Sequence, residues 1–180
     1  MNIIPTSIPE VFLIEPEIFS DERGFFLESW NKKIFSDLGI SEEFVQDNHS
    51  TSYKNVLRGL HYQIKHSQGK LVRAIVGEVY DVAVDLRKSS PTFGKWVGFT
   101  LSAQNNRMAW IPPGFAHGFY VMSSSAEFVY KTSEYWNPDY ERTLVWNDPS
   151  LRISWPLVDK PLVAPRDANG QLFIDLEFYD

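Results

Sequence analysis

The segment Val56-Leu57-Arg58-Gly59-Leu60-His61-Tyr62-Gln63 mixes branched and aromatic residues with polar ones in an alternating pattern. An alternation of this kind, with a period of two, predicts a β-strand. A strand that served only to fill a core would not need an imidazole so close to a guanidinium. We therefore interpret this segment as a strand that carries functional side chains, and we expect the other candidate residues to gather around His61.

Short segments of similar character surround this strand and predict the fold class. We predict strands at residues 11–15, 25–30, 70–76, 79–86, 96–101, 108–111, 119–122 and 126–132. Gly77-Glu78 predicts a tight turn that makes a hairpin of two of these strands, and Ser123-Ser124-Ser125 predicts a second hairpin. Asn31 predicts the start of a short helix over residues 32–38, which stops at Gly39. Many short strands with turn signals about every eight to twelve residues are typical of an antiparallel sandwich or a jelly-roll barrel.

Composition limits the functional classes. The 180 residues suit one domain, residues 1–180, with a full core. The net charge of −6 and the lack of a basic run argue against a nucleic-acid surface. The absence of cysteine excludes disulfides, thiolate metal sites and a cysteine nucleophile. The first ten residues have no basic start and contain two prolines, and no apolar run could span a membrane, so we expect a soluble cytoplasmic protein.

The four histidines raise the question of a metal. A metal-binding jelly roll of the cupin type usually offers two histidines one residue apart together with a carboxylate, but His61 is followed by Tyr62-Gln63. His61 and His117 alone would be two ligands, fewer than most metal sites use. His66 lies in a polar loop and His49 at the end of a strand, where solvation is the simpler interpretation. We therefore expect no metal and no other cofactor.

Without a metal, His61 suits the role of a general base, because an imidazole titrates near neutral pH. A carboxylate should fix its tautomer, and Asp81, Asp85 and Asp167 all remain candidates on sequence alone. Tyr130 could supply the acid, although a core tyrosine with a satisfied hydroxyl is the simpler interpretation of its strand position.

Other residues suggest an anionic ligand with a flat base. Lys70 opens a strand after Gly69 and could stabilise a developing oxyanion or be a solvated strand-edge lysine. Arg23 and Arg58 could bind a phosphate through two hydrogen bonds each. Phe25-Phe26 and Tyr135-Trp136 could stack on a base.

Six ordered blocks of this sequence resemble one family. They are Arg23-Gly24-Phe25-Phe26-x-Glu28-Ser29, Gln46-Asp47-Asn48-His49-Ser50, Leu57-Arg58-Gly59-Leu60-His61-Tyr62-Gln63, Gln68-Gly69-Lys70-Leu71-Val72-Arg73, Ser90-Pro91-Thr92-Phe93-Gly94 and Pro113-Gly114-Phe115-Ala116-His117-Gly118-Phe119. From about Arg23 to Asp167 the chain resembles the dTDP-4-dehydrorhamnose 3,5-epimerase family.

The resemblance implies an all-β fold, a metal-free cupin-type double-stranded β-helix (jelly roll) with a few short helices, mostly near the C-terminus. It also implies a homodimer that acts on dTDP-4-dehydro-6-deoxy-glucose. By matching the blocks, His61 becomes the base, Asp167 its partner, Tyr130 the acid and Lys70 the enolate stabiliser. The substrate contacts implied are Arg23, Glu28, Gln46, Asn48, Arg58, His117, Glu141 and Arg166, and Phe25, Tyr135 and Trp136 are candidates for stacking on the nucleotide. Arg166 stands where relatives can carry lysine.

One geometric requirement and two alternatives accompany this interpretation. In a regular strand Arg58 and His61 would point to opposite faces, so we predict an irregularity near Gly59. The alternatives are a mono-epimerase or ketoisomerase on the same scaffold, and a non-catalytic protein that binds a nucleotide sugar. The presence of His61, Lys70 and Tyr130 together favours double epimerisation over both.

Overall fold

The fold consists of two facing β-sheets, seen in a computed structural model that describes residues 1–180. The first sheet contains, in spatial order, β1 (Asn2–Pro5), β2 (Phe12–Glu15), β10 (Met108–Ile111), β7 (Lys70–Val76), β12 (Ser125–Thr132) and β5 (Gln46–Tyr53). The second contains β13 (Glu141–Thr143), β6 (Val56–Gln63), β11 (Phe115–Val121), β8 (Glu78–Asp85) and β9 (Trp96–Ser102), and β14 (Leu162–Val163) pairs with β6. A separate hairpin is formed by β3 (Phe19–Asp21) and β4 (Gly24–Phe26).

The helices are few and short, as expected. They are α1 (Lys32–Asp37), α2 (Pro165–Ala168) and a 3₁₀ turn, Phe173–Asp175. The Asn31 side chain accepts the N–H groups of Lys33 and Ile34, which confirms it as the cap of α1. Neither helix has the length and apolar character required to cross a bilayer. The all-β jelly-roll prediction is confirmed.

Three apolar clusters hold these layers together. The largest contains 17 buried residues and lies between the two sheets, with contributions from both. A second cluster packs residues near the C-terminus, such as Leu151 and Leu176, against the outer face of the second sheet. A third packs Phe35 of α1 and Ile40 against the outer face of the first sheet. These clusters cover part of both outer faces. The polar side chains collect instead at an opening between the two sheets, which remains uncovered.

Both predicted hairpins are wrong. The turn at Gly77 joins β7 of the first sheet to β8 of the second, and Ser123-Ser124 joins β11 of the second sheet to β12 of the first. These turns therefore carry the chain from one sheet to the other instead of pairing neighbouring strands. Turn residues predict a reversal of direction, but they do not predict which strand will become the hydrogen-bonded partner.

Some strand bounds also differ from expectation, and the strand predicted at residues 119–122 is in fact Phe115–Val121. The strand predicted at residues 25–30 ends at Phe26, because the next residues leave the hairpin and lead into α1. In the polar stretch that contains Gln46-Asp47-Asn48, only a strand end at His49 was expected, yet the whole stretch belongs to the eight-residue β5, with His49 in its middle. All eight residues of β5 pair with β12, from Gln46 opposite Thr132 to Tyr53 opposite Ser125.

The irregularity predicted near Gly59 is confirmed. His117 of β11 pairs with His61, whereas Phe119 pairs with Arg58, so three steps along β6 match two steps along β11. Gly59 has a φ of +104°, a conformation that residues with a side chain rarely adopt. The extra residue changes the alternation of β6, and Arg58 and His61 consequently line the same cavity.

Gly59→Ala should destabilise the fold by roughly 2–4 kcal/mol, because it combines backbone strain with overpacking. A Cβ at this position would lie 2.6 Å from the His117 carbonyl oxygen and 2.7 Å from the Gly118 Cα. Urea unfolding of the variant would measure the change in free energy. Gly24→Ala is the matched control, because Gly24 has a φ of +121° but nothing within 4 Å of the added Cβ. Equal losses in the two variants would contradict the close packing at Gly59.

Candidate active site

A polar cavity of about 420 Å³ opens between the two sheets. The predicted site residues that line it are Gln46, Asn48, Arg58, His61, Lys70, His117, Tyr130, Trp136, Glu141 and Arg166. They come from both sheets and from the segments that follow β12 and β14, so residues separated by up to 120 positions in the chain meet here. The structure thus brings together most of the residues that the sequence motifs implicate.

His61 projects into this cavity and is held from behind by Asp167. The His61 Nε2 lies 2.7 Å from Asp167 Oδ1, and the backbone N–H of Gly59 donates to Asp167 Oδ2 at 3.0 Å. One buried carboxylate therefore fixes both the imidazole and the irregular backbone of β6. Of the three carboxylates that the sequence left open, Asp167 is the partner of His61.

The other two candidate carboxylates have different partners. Asp81 is fully buried and lies 2.9 Å from Nε2 of His117. Asp85 accepts hydrogen bonds from Arg87, Ser90 and Thr92, away from the cavity. Asp85 is consequently a structural carboxylate, whereas Asp81 belongs to a second histidine–aspartate pair in the wall of the site.

The electrostatics of Asp167 favour its charged form. Burial tends to raise the pKa of this carboxyl, but the hydrogen bond and charge of His61, the Gly59 N–H and the Arg166 charge together hold it below its usual value. Because the charged Asp167 can only accept, we assign a proton to the His61 Nε2, which donates a hydrogen bond to the carboxylate. The Arg166 Nη2, 3.1 Å from the same nitrogen, then lies in contact with it without a hydrogen bond. The other ring nitrogen, Nδ1, makes no hydrogen bond within the protein and is left as a proton acceptor.

Lys70 opens β7 and brings a positive charge into the cavity without a partner. The residue is only 8% exposed, and its ammonium makes no hydrogen bond or ion pair with the protein. Burial lowers the pKa of Lys70 to about 8, although the negative charges of Glu141 and Asp81 oppose this shift. An unpaired ammonium that faces a cavity is poised to bind an anionic oxygen.

Tyr130 lies on the opposite sheet from His61. Its ring packs against the core between the sheets, but its hydroxyl makes no hydrogen bond within the protein and the residue lines the cavity. Burial raises the pKa of Tyr130, the Glu141 charge raises it further, and the Arg58 charge partly opposes both. The phenol therefore stays protonated near neutral pH and can donate a proton from the side opposite His61.

The mouth of the cavity combines an exposed indole with cations. Trp136 is about half exposed and lines the cavity, whereas the side chain of Tyr135 does not. Arg58 donates to the Ser52 hydroxyl at 2.9 Å, which leaves part of its guanidinium free. Arg166 donates to Glu141 Oε2 at 2.6 Å, and its Nη2 lies 3.1 Å from His61 Nε2.

Comparison with known proteins identifies the family to which this chain belongs. The dTDP-4-dehydrorhamnose 3,5-epimerase family model matches residues 5–175. A Shigella flexneri dTDP-4-dehydrorhamnose 3,5-epimerase is 59% identical over 99% of both chains. A Legionella pneumophila dTDP-6-deoxy-D-glucose-3,5-epimerase, solved with dTDP-4-keto-L-rhamnose, superposes with a TM-score of 0.96 at 53% identity, over 98% of this chain and 94% of that chain. The chain belongs to the dTDP-4-dehydrorhamnose 3,5-epimerase family.

The same fold also occurs in a protein with a related activity. A 3'-monoepimerase from Streptomyces bikiniensis, solved with dTDP-quinovose, superposes with a TM-score of 0.88 at 32% identity, over 94% of this chain and 87% of that chain. The scaffold alone therefore does not distinguish epimerisation at one carbon from epimerisation at two.

Besides Asp167, which lies behind His61, four predicted site residues do not line the cavity of this chain. Arg23 and Phe25 belong to the β3–β4 hairpin, where the Arg23 side chain is 85% exposed and pairs with Asp21. Glu28 hydrogen-bonds to Asn31, and Tyr135 contributes its backbone but not its side chain to the region of the site. Within one chain, these residues are not brought together with His61.

Sequence reasoning missed several cavity residues. They are Ser50, Gln68, Gly118, Phe119 and Phe128. Two of them follow from the period of a strand, because Ser50 lies two residues after Asn48 and Phe128 two residues before Tyr130. Gln68 has no such signal, since it lies in the loop that precedes β7. The histidine and acidic side chains form no group of three or more that could hold a metal ion.

Lys70→Met should stabilise the fold by about 1–3 kcal/mol at pH 7, because a shift of one pKa unit corresponds to about 1.4 kcal/mol. The pKa of Lys70 is lower in the folded protein than in the unfolded chain, so the charged form destabilises the fold below pH 8. That cost disappears as the pH rises past 10.5, and the advantage of methionine should shrink accordingly. Urea unfolding at pH 7 and pH 10 would measure both values.

The exposed Lys95 offers a matched control for this experiment. Lys95→Met removes a solvated lysine and should change the free energy of unfolding by less than about 0.5 kcal/mol. If Lys70→Met destabilised the protein at both pH values, the unpaired ammonium would be making interactions that the structure lacks.

Proposed function

We propose that this protein converts dTDP-4-dehydro-6-deoxy-D-glucose to dTDP-4-dehydro-L-rhamnose by epimerisation at C3 and C5, a step in dTDP-L-rhamnose biosynthesis. The observation that carries the mechanism is an unpaired, buried Lys70 ammonium in the same cavity as the His61–Asp167 pair, with Tyr130 on the opposite sheet. These are the parts that proton exchange next to a ketone requires: a base, an oxyanion partner and an acid.

In the first step His61 removes a proton from a carbon next to the C4 ketone. The electron pair of the C–H bond forms the enolate double bond, and the ketone oxygen becomes negatively charged. The Lys70 ammonium neutralises this oxygen in a cavity where water does not screen the interaction fully. Asp167 stabilises the imidazolium that forms on His61 and keeps the ring oriented.

In the second step Tyr130 donates its phenolic proton to the opposite face of the same carbon. The enolate returns to a ketone with inverted configuration, and exchange with solvent restores the proton of Tyr130 and discharges His61. Repetition at the second carbon inverts both centres. Protons and electrons balance within each cycle without an oxidant or a reductant.

We assign the nucleotide portion of the substrate to the mouth of the cavity. Arg58 offers a guanidinium to the diphosphate, and Trp136 offers a flat ring to the thymine base. Gln46 and Asn48 hydrogen-bond to each other at 2.9 Å and line the same region. His117 and Arg166 complete the polar wall around the sugar.

A mono-epimerase is the second candidate function. The similarity to the Streptomyces bikiniensis 3'-monoepimerase supports it, because that protein shares the fold with different stereochemical output. Whether one or both carbons exchange depends on how far the sugar can reorient between His61 and Tyr130.

We further propose that the active form is a homodimer in which the β3–β4 hairpin reaches the cavity of the partner. Phe19, Phe25 and Phe26 of this hairpin are each more than half exposed, and together they form an apolar surface. Arg23 at its tip contributes nothing to its own cavity. A second copy would cover the phenylalanines and give Arg23 a diphosphate to bind.

Mixing two impaired variants, at a substrate concentration too low to saturate Arg23→Ala, would test this dimer. His61→Ala should remove the base but keep an intact hairpin, whereas Arg23→Ala should keep the base but weaken substrate binding. A mixed dimer contains one cavity with a native His61 and a native Arg23 from the partner, so partial activity should return on mixing. Mass spectrometry would confirm that the mixed dimer has formed. If the mixed dimer then showed no recovery of activity, Arg23 would not act across subunits.

Proton NMR of the substrate in D₂O would test the reaction itself. Wild-type protein should introduce deuterium at both C3 and C5, and His61→Ala should introduce none. Tyr130→Phe should lose roughly 10²–10⁴-fold in product formation, as expected for loss of a general acid. Because His61 remains, this variant should still exchange the C3 and C5 protons of the substrate with solvent faster than it inverts these carbons. Exchange at one carbon would support the mono-epimerase, and binding without exchange would overturn both enzymatic proposals.

A further inference from the structure

The loop that follows β12 carries Trp136 but contains no regular secondary structure. Each residue from Glu134 to Asn137 nevertheless has one backbone group hydrogen-bonded to the side chain of a glutamine, and three glutamines take part. The Glu134 carbonyl also accepts from the Thr132 hydroxyl, and the Asn137 carbonyl accepts from the N–H of Tyr140. We refer to Gln46, Gln63 and Gln68 as the glutamine clamp. Three of the five glutamines in the chain therefore bind this one loop.

Gln63 is the centre of the clamp. It is 3% exposed, and its side-chain amide uses both of its ends. The Nε2 donates to the carbonyl oxygens of His66 at 2.8 Å and Tyr135 at 3.2 Å, and the Oε1 accepts the N–H of Asn137 at 2.7 Å. Gln63 therefore binds the loop on both sides of Trp136.

The other two glutamines fix the remaining positions. Gln46 Oε1 accepts the N–H of Trp136 itself at 3.1 Å. Gln68 Nε2 donates to the carbonyl oxygen of Glu134 at 2.8 Å. Four successive residues are thus held by side chains that come from β5, from β6 and from the loop before β7.

Amide side chains are suited to this task for two reasons. Each offers a donor and an acceptor, so it can satisfy both kinds of backbone group without leaving an unpaired polar atom. Each is also uncharged, so the clamp neither attracts nor repels a diphosphate next to Trp136. A loop that is ordered before the ligand arrives loses less conformational entropy on binding.

We propose that Gln63, supported by Gln46 and Gln68, is a positioning residue that holds the Trp136 loop as a preformed platform for the thymine base. This inference rests on the proposed function, in which Trp136 stacks on the nucleotide. Gln63 also lies two residues from His61 on the same strand. Since a strand rises about 3.3 Å per residue, β6 fixes the distance between the catalytic base and the anchor of the platform.

The test is a double-mutant cycle on the affinity for dTDP, measured by isothermal titration calorimetry. Trp136→Ala should weaken binding about 10- to 100-fold, the range expected for loss of one stacked base. Gln63→Met, which keeps the volume but removes all three hydrogen bonds, should weaken binding about 10-fold. In the Trp136→Ala background, Gln63→Met should have little further effect, because the platform is already lost.

Each outcome of the cycle has a distinct meaning. Additive effects of the two substitutions would show that Gln63 does not act through Trp136 and would overturn the inference. Weaker binding with Trp136→Ala but not with Gln63→Met would do the same. If Trp136→Ala left the affinity unchanged, the stacking role would be wrong, while deuterium exchange at C3 and C5 would still report the proposed reaction independently.

Two further variants keep the test interpretable. Gln104→Met alters an exposed glutamine in a turn whose side chain makes no hydrogen bond, and it should leave the affinity unchanged. If Gln63→Met failed to fold, the same cycle with Gln68→Met would replace it, because Gln68 is less buried and contributes one bond to the loop. The kcat of Gln63→Met at saturating substrate should stay within about threefold of wild type, since the loss is confined to binding.

Discussion

The hydrogen bonds of Asp167 are the interaction on which the site depends. This carboxylate lies more than 100 residues after His61 in the chain, yet it binds both the His61 ring and the backbone of Gly59. It therefore joins α2 to the middle of β6 and fixes the His61 imidazole relative to the irregular strand. The irregularity in turn allows Arg58 and His61 to face one cavity, so a single buried charge organises both the proposed base and the proposed phosphate contact.

The two sheets divide the remaining chemistry between them. The second sheet carries His61, and the first carries Lys70 and Tyr130. An enolate formed between the sheets would have its base on one side and its acid on the other, which is the arrangement that inversion requires. The cost of this arrangement is a buried ammonium without a partner, and the surrounding apolar core must offset it.

The sequence predicted the buried strands and most of the site, but it failed where local patterns do not determine the outcome. Turn residues at Gly77 indicated a reversal, whereas the partner of each strand is decided by packing of the two sheets. β5 was missed because its inward residues, Gln46, Asn48, Ser50 and Ser52, face a wet cavity or a polar partner instead of the core. A strand without an apolar face has no hydrophobic periodicity to detect. The partner of His61 was left open among three carboxylates because a contact across 106 positions has no signal in the spacing.

The charge of the whole chain is opposite to that of its cavity. The protein carries a net charge of −6, but the cavity is lined by Arg58, Lys70 and Arg166 against a single carboxylate, Glu141. Low-dielectric walls focus such a field, so a small dianion would be drawn into the opening while the acidic exterior repels large polyanions. The same arrangement explains why the glutamine clamp is uncharged: a carboxylate there would oppose the diphosphate, and a further cation would bind it in the wrong place. In the proposed function, neutral amides fix the platform for the thymine base and leave the diphosphate to Arg58 and the enolate oxygen to Lys70.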